Sequence, residues 1–283
     1  MDKFEEYINN LPIIPDVASK IMSITENNFD ISFKDLEEII MIDPMLTSKI
    51  LKVANSALYA RQSEIVNLQM AIGLLGFNNI KSLVLLITAS QFSKEIKTSG
   101  YLNKFWRHSI ATAFIAKHIM YRRKERANEE IAFVAGLLHD IGQVALFQSN
   151  PEDYENLLDS AFQENGELEV FERERYQTDH RKIGSSLLAR WNFPEIYIDA
   201  AKEHNTLNVN SKHRSIVLII TLADLLSNYL GYGQRETSRE DLLKEVLSLT
   251  NHDDSDLEYF KSNYKEIFEK DPLFKECQRL FIR

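Results

Sequence analysis

Apolar positions recur at helical spacing along almost the whole chain. Ile14, Val17, Ala18, Ile21 and Met22 make one stripe. Leu36, Ile39 and Ile40 make the next, behind a capping-box-like Ser32 and Asp35, with Asp where Glu or Gln is usual. Asp43 followed by Pro44 predicts a fresh helix start, Asp43 as N-cap and Pro44 in the first turn. The inner face of that helix is Leu46, Ile50, Leu51 and Ala54. Short helices are expected over 68–75 and 79–92, separated by Gly76. To about residue 97 the pattern predicts a bundle of five short helices.

A polar break at 97–100 precedes a long helix over 101–121 that carries Trp106 and His108. Another begins at Asn128 and runs into His139 and Asp140. Asn150-Pro151-Glu152 is a helix start and Gly166 a stop. A charged helix over 167–176 follows, then one over 180–191 and one from Pro194-Glu195 to near His204. Residues 216–230 form a long apolar run with a single acidic residue, Asp224. After Gly231 and Gly233, two or three amphipathic helices span 238–283. No alternating strand pattern, glycine-rich phosphate loop or internal repeat is evident. The expected architecture is all-α: an N-terminal helical subdomain over 1–97, a helical core over 98–235 and a helical extension over 236–283.

Composition adds bounds. The chain has 283 residues, 44% hydrophobic and 27% charged, with 9 Gly and 6 Pro, which suits a helical protein with a sizeable core. The net charge of -9, with no basic stripe, argues against nucleic-acid binding. The cluster Arg122, Arg123, Lys124 and Arg126 reads as charge compensation at a helix C-terminus. Cys277 is the sole cysteine, so no disulfide can form within the chain. The acidic N-terminus lacks the apolar core of a signal peptide, and the longest apolar stretch, 83–89, is too short to cross a bilayer. The expectation is a cytoplasmic protein without a membrane span.

The richest segment is Ala135-Gly136-Leu137-Leu138-His139-Asp140-Ile141-Gly142, an apolar run that ends in two adjacent metal-type ligands. Burying such a pair is costly unless an ion or a hydrogen-bond network satisfies it. His108, His180, His204 and Asp224 also sit on apolar helices. Imidazole and carboxylate together suit Fe, Mn or Zn better than Mg. Adjacent positions such as His139 and Asp140 point about 100° apart on an ideal helix, and Gly142 would let the helix end there. The alternative for each histidine is a hydrogen-bonded core residue, and for Asp224 a cap or a salt bridge at a subdomain seam. His118, His213 and His252, beside polar neighbours, read as surface positions. Cys277 has no histidine near it, and no Ser-His-Asp arrangement is recognisable.

The His139-Asp140 segment resembles the signature of the HD superfamily, and the chain resembles its HDOD branch, the HD-related output domain of bacterial signalling proteins. Leu11-Pro12-Ile13-Ile14-Pro15 resembles that family's opening element. The stretch beginning Asp43-Pro44-Met45-Leu46 and ending Ala54-Asn55-Ser56 resembles a second element, and Ala71-Ile72-Gly73-Leu74-Leu75-Gly76 a third. His180-Arg181-Lys182-Ile183-Gly184 and Trp191-Asn192-Phe193-Pro194 also fit, so the resemblance spans about residues 10–230.

The resemblance implies an HD-type helical bundle and a regulatory role in signal transduction. Such a module acts mainly through protein partners, is non-catalytic, and can bind metal. His108, His139, Asp140 and Asp224 fill the ligand pattern of catalytic HD proteins. His180 and His204 match two further histidines of the HD-GYP phosphodiesterases. Three departures stand out. Gln143 replaces the lysine that would stabilise phosphate charge, Asn205 replaces a paired histidine, and Asn205-Thr206-Leu207-Asn208 stands where a glycine-tyrosine-proline segment would be. The alternatives are a metal-dependent phosphohydrolase acting on a nucleotide or cyclic dinucleotide, and a nucleotide sensor that does not hydrolyse its ligand.

Overall fold

The computed structural model describes residues 17–18, 20–21, 33–55, 65–92, 100–164, 166–233 and 239–281. The opening Leu11–Pro15 element, the Ser32 cap and most of the polar break at 97–100 lie outside these. Among the described residues every regular element is a helix and none is a strand.

Among the described residues, helix is present at 17–18 and 20–21, and the helices bounded in full before residue 93 are α1 (Phe33–Met41), α2 (Pro44–Ala54), α3 (Leu68–Leu75) and α4 (Phe77–Phe92). Asp43 caps α2 as expected: its Oδ1 accepts from the backbone N–H of Met45 at 2.9 Å and of Leu46 at 3.1 Å. Gly76 separates α3 from α4 at φ 84°, a left-handed conformation that suits glycine. Helix α4 packs on α2 and α3, and also on α6 of the following core.

The long helix α5 (Gly100–Arg122) is the axis of that core. Against it lie α6 (Glu129–Leu138), entered through a 3-10 turn at Arg126–Asn128, and α12 (Arg214–Tyr229). Helices α7 (Ile141–Ser149), α8 (Pro151–Gln163), α9 (Leu168–Tyr176), α10 (His180–Arg190) and α11 (Glu195–Glu203) complete it. The polypeptide breaks at His139-Asp140 rather than continuing as one helix. The role expected of Gly142 also changes. Helix α7 runs through it, and a Cβ there would sit 1.9 Å from the backbone oxygen of His180. Gly142 therefore lets α7 touch α10 backbone to backbone.

Taken together, Arg126–Ser149 is long and apolar enough to cross a membrane, which the shorter 83–89 stretch is not. Its apolar window is 94% buried inside the protein, so it forms the centre of the core.

Helices α13 (Glu240–Leu249), α14 (Asp254–Lys270) and α15 (Pro272–Phe281) fold back on this core. Phe260, Tyr264, Phe268 and Phe274 stack in series at ring separations of 4.9, 5.1 and 5.1 Å, and Phe114 of α5 meets Phe274 edge-on. The basic cluster after α5 has a more specific task than dipole compensation. Arg122 pairs with Asp256 at 3.2 Å and Arg123 donates to the carbonyl oxygen of Thr250 at 2.9 Å, tying the extension down. His118, His213 and His252 are half-buried rather than on the open surface, with Tyr259, Asp199 and Thr250 as their respective neighbours. Cys277 is buried among the apolar side chains of the extension.

Candidate metal centre

All six candidate ligands are buried and meet in one place. Each comes from a helix or a helix end. His108 lies inside α5, His139 closes α6, Asp140 precedes α7, His180 opens α10, His204 follows α11 and Asp224 lies inside α12. The break between α6 and α7 is what lets two adjacent residues face one point.

Two carboxylates sit among four imidazoles. Asp140 Oδ1 lies 3.2 Å from Nε2 of His204 and 3.4 Å from Nε2 of His180, while Oδ2 lies 3.4 Å from Nε2 of His139 and 3.8 Å from that of His108. Asp224 Oδ1 lies 3.0 Å from Nε2 of His108 and 3.9 Å from that of His139. Two overlapping triads could each hold an ion: His108, His139 and Asp224, and His139, Asp140 and His204.

The ring tautomers follow from the other nitrogens. Nδ1 of His139 lies 2.7 Å from the carbonyl oxygen of Gly136, and Nδ1 of His204 lies 3.1 and 3.0 Å from those of Ala200 and Ala201. A carbonyl only accepts, so each Nδ1 carries the proton and each ring turns its Nε2 inward; the His139 ring, whose pKa is held down by burial, is neutral and presents a lone pair there. Nδ1 of His108 meets Ser227 Oγ at 2.8 Å, and that hydroxyl donates to the Asp224 carbonyl at 2.9 Å, so it too is an acceptor for the ring. His180 Nδ1 lies 2.6 Å from Glu172 Oε2.

The result is unusual for a closed core. Nε2 of His139 and of His204 is buried with no hydrogen-bond partner. Each lies against an oxygen of Asp140, and at the neutral His139 ring acceptor meets acceptor. A divalent cation resolves that conflict, and imidazoles braced through Nδ1 are the arrangement metal sites use. The donor set therefore fits a metal ion.

Charges follow the geometry. Burial holds the His139 pKa down to about 4, against the raising pull of Asp140. Burial also acts to lower that of His108, but the hydrogen bond and charge of Asp224, helped by Asp140, carry it above 6.5. For His180 burial is outweighed by Glu172, Asp140 and Glu169, which push it up to about 10. Burial would raise both aspartates. Instead His139, His204 and His180 hold Asp140 well below the carboxylate range, and His108 and His139 hold Asp224 at about 2.

A cavity of about 570 Å³ opens onto the centre. Its wall carries Asp140, Asp224, Glu167, Glu169, Glu240 and Asp241. Among its described lining residues, Arg239 is paired with Glu167 at 2.8 Å, while His180 and His108, with raised pKa values, face the carboxylates of the centre at its floor. Gln143 also lines it, and its Oε1 accepts from the Tyr101 hydroxyl at 3.1 Å. Asn205 lines it as well, with φ 60°, a conformation asparagine tolerates, and its Oδ1 is buried without a partner.

Several residues of the centre were not among the sequence candidates. Ser227 had a readable signal, since it lies three positions after Asp224 on the same helix face. Glu172 and Tyr154 had none, because the surrounding segments look solvated.

The HDOD domain family model matches residues 11–207. The chain belongs to the HDOD domain family. The match stops short of the 230 expected from the motifs, so α12 with Asp224 lies beyond it. An HDOD domain protein of unknown function from Geobacter sulfurreducens has the same fold, with a TM-score of 0.80 at 23% identity over 99% of this chain and 98% of that one. A "Putative signal transduction protein" from Marinobacter aquaeolei VT8 gives 0.80 at 20% identity over 99% and 65% of the two chains. A "Putative metal-dependent phosphohydrolase" from Shewanella amazonensis SB2B gives 0.59 at 22% identity over 99% and 100%. Among curated sequences, an uncharacterized protein of Treponema pallidum (strain Nichols) is 23% identical over 238 residues. That alignment takes in 83% of this chain and 45% of that one, so the HDOD chain spans less than half the length of this relative.

Proposed function

We propose that this HDOD protein is a cytoplasmic regulatory module of signal transduction that acts through protein partners. In this reading it holds Fe, Mn or Zn at the His/Asp centre without turning over phosphate esters. The observation that carries the non-catalytic part is the charge of the cavity. A phosphate ester brings negative charge to a wall already lined by carboxylates, where Arg239 is neutralised by Glu167. Gln143, on α7 beside the centre, offers an amide where a phosphoryl clamp needs a cation. The metal part is supported by the orphaned Nε2 atoms of His139 and His204. His108, His139, Asp140, His180, His204 and Asp224 would hold the ion.

The test is direct. Protein reconstituted with Fe, Mn or Zn is assayed against nucleotides and cyclic dinucleotides. Stoichiometric metal with no turnover is expected, and hydrolysis at an ordinary enzymatic rate overturns the non-catalytic reading.

One observation favours a phosphohydrolase as the second reading: the two overlapping ligand triads around His139. A bound metal would supply Lewis-acid polarisation of a phosphoryl oxygen. The chain's own groups would then have to admit an anion past Glu169 and Asp241, and neither carboxylate offers it a hydrogen-bond donor when ionised.

A further inference from the structure

Among the described residues, three of the four imidazoles at the centre are braced by uncharged acceptors: two by backbone carbonyls and His108 by Ser227. His180 is braced by a carboxylate. Glu172 Oε2 accepts from His180 twice, from its backbone N–H at 2.9 Å and from Nδ1 at 2.6 Å. The other oxygen, Oε1, accepts from the Tyr154 hydroxyl at 2.6 Å. Glu172 and Tyr154 are both fully buried, at 0% exposure. A carboxylate survives at such depth only when donors meet its oxygens, and here three do.

The four residues form a chain across consecutive helices: Tyr154 on α8, Glu172 on α9, His180 on α10 and Asp140 ahead of α7. Its inner end is the candidate metal centre and its outer end, Tyr154, is fully buried. The backbone bond to the His180 N–H matters as much as the ring bond, because it fixes the first turn of α10 from which the ring projects.

We propose that Glu172 is a positioning residue that makes His180 the most strongly electron-donating imidazole of the centre, and that Tyr154 holds Glu172 in place. A carboxylate at Nδ1 draws the ring proton toward itself and raises electron density at Nε2, which a neutral carbonyl does less. The inference rests on the metal reading and adds to it a residue that touches no ion.

Glu172→Gln isolates the charge. The amide oxygen can take the place of Oε2 and accept both His180 donors. The amide nitrogen can take the place of Oε1 and donate to the Tyr154 oxygen, whose hydroxyl turns around. Every hydrogen bond is kept and the negative charge is lost. Cobalt(II) is titrated into the full chain as wild type, Glu172→Gln and Tyr154→Phe, followed by ligand-field absorption and equilibrium dialysis. Glu172→Gln is expected to weaken cobalt binding about 10–100-fold and to shift the ligand-field bands. Tyr154→Phe is expected to weaken it several-fold. A merely structural Glu172 would leave the bands of the bound metal where they are in the wild type. Unchanged affinity and bands in Glu172→Gln overturn the inference while the metal reading stands. Should Glu172→Gln fail to fold, unchanged affinity and bands in Tyr154→Phe overturn it equally. Wild-type protein that takes up no cobalt overturns the metal reading and this inference with it.

Discussion

Lys81 Nζ lies 2.9 Å from Glu130 Oε1, with side-chain exposures of only 2% and 11%. The pair joins α4 of the N-terminal helices to α6 of the core. Burial raises the pKa of Glu130, against the opposing charges of Lys81 and Lys117.

Removing Lys81 leaves Glu130 largely buried with only the charge of Lys117 opposing its burial. Lys81→Met is expected to cost about 3–5 kcal/mol in urea denaturation. The double substitution Lys81→Met with Glu130→Leu should recover most of it, because two apolar side chains can replace a buried ion pair. A double variant no more stable than the single one would show that the pair is not the source of the loss.

Gly142→Ala should be among the most damaging small changes in the chain. Its Cβ would meet the His180 backbone oxygen at 1.9 Å and the Gly184 nitrogen at 2.7 Å. Neither is a flexible group, so α7 and α10 must separate, carrying Asp140 and His180 apart. A loss of about 3 kcal/mol or more is expected, with weakened metal uptake. A melting temperature within a degree of wild type would contradict this.

Metal should stabilise the folded chain by mass action, since the ligands converge only there. At a free ion concentration about 100 times Kd, the gain is about 2.7 kcal/mol. Asp140 faces all four imidazoles, so Asp140→Asn should abolish the gain. Denaturation with zinc and then with a chelator measures both. An equal zinc effect in wild type and variant would remove Asp140 from the centre.

The docked extension should loosen in mild acid. Burial and then Arg122 lower the pKa of His118 from 6.5. Burial also lowers that of His252, with Arg123 and Arg122 assisting against Asp256. Both folded values lie below the unfolded one. As pH falls through 6.5, the unfolded chain binds protons that the folded chain refuses, and stability falls. Replacing both histidines by Gln should flatten the change in denaturation midpoint between pH 8 and 5.5 relative to wild type.

Much of this is legible in residue order alone. The helices follow the apolar period closely, and Asp43 caps where its Pro44 neighbour says it should. His108, His139, Asp140, His180, His204 and Asp224 stand out because a polar group on an apolar helix needs a partner inside the protein. Glu172 does not stand out. It lies in Phe171-Glu172-Arg173-Glu174-Arg175, whose alternating charges look like a solvated face. Only the packing of α9 against α8 and α10 turns one of those glutamates inward. Gly142 eludes sequence reading in a related way: a glycine chosen for close approach leaves the same mark as one chosen to end a helix.

The hydrogen bond from His108 to Ser227 has a consequence for how the chain assembles. The two residues are 119 positions apart. No local event can bring them together, and loop closure over that distance must be met before the contact forms. The polar centre is therefore expected to be completed late, after the helices between have docked. Ions added to the unfolded chain should leave the folding rate unchanged and slow only the unfolding.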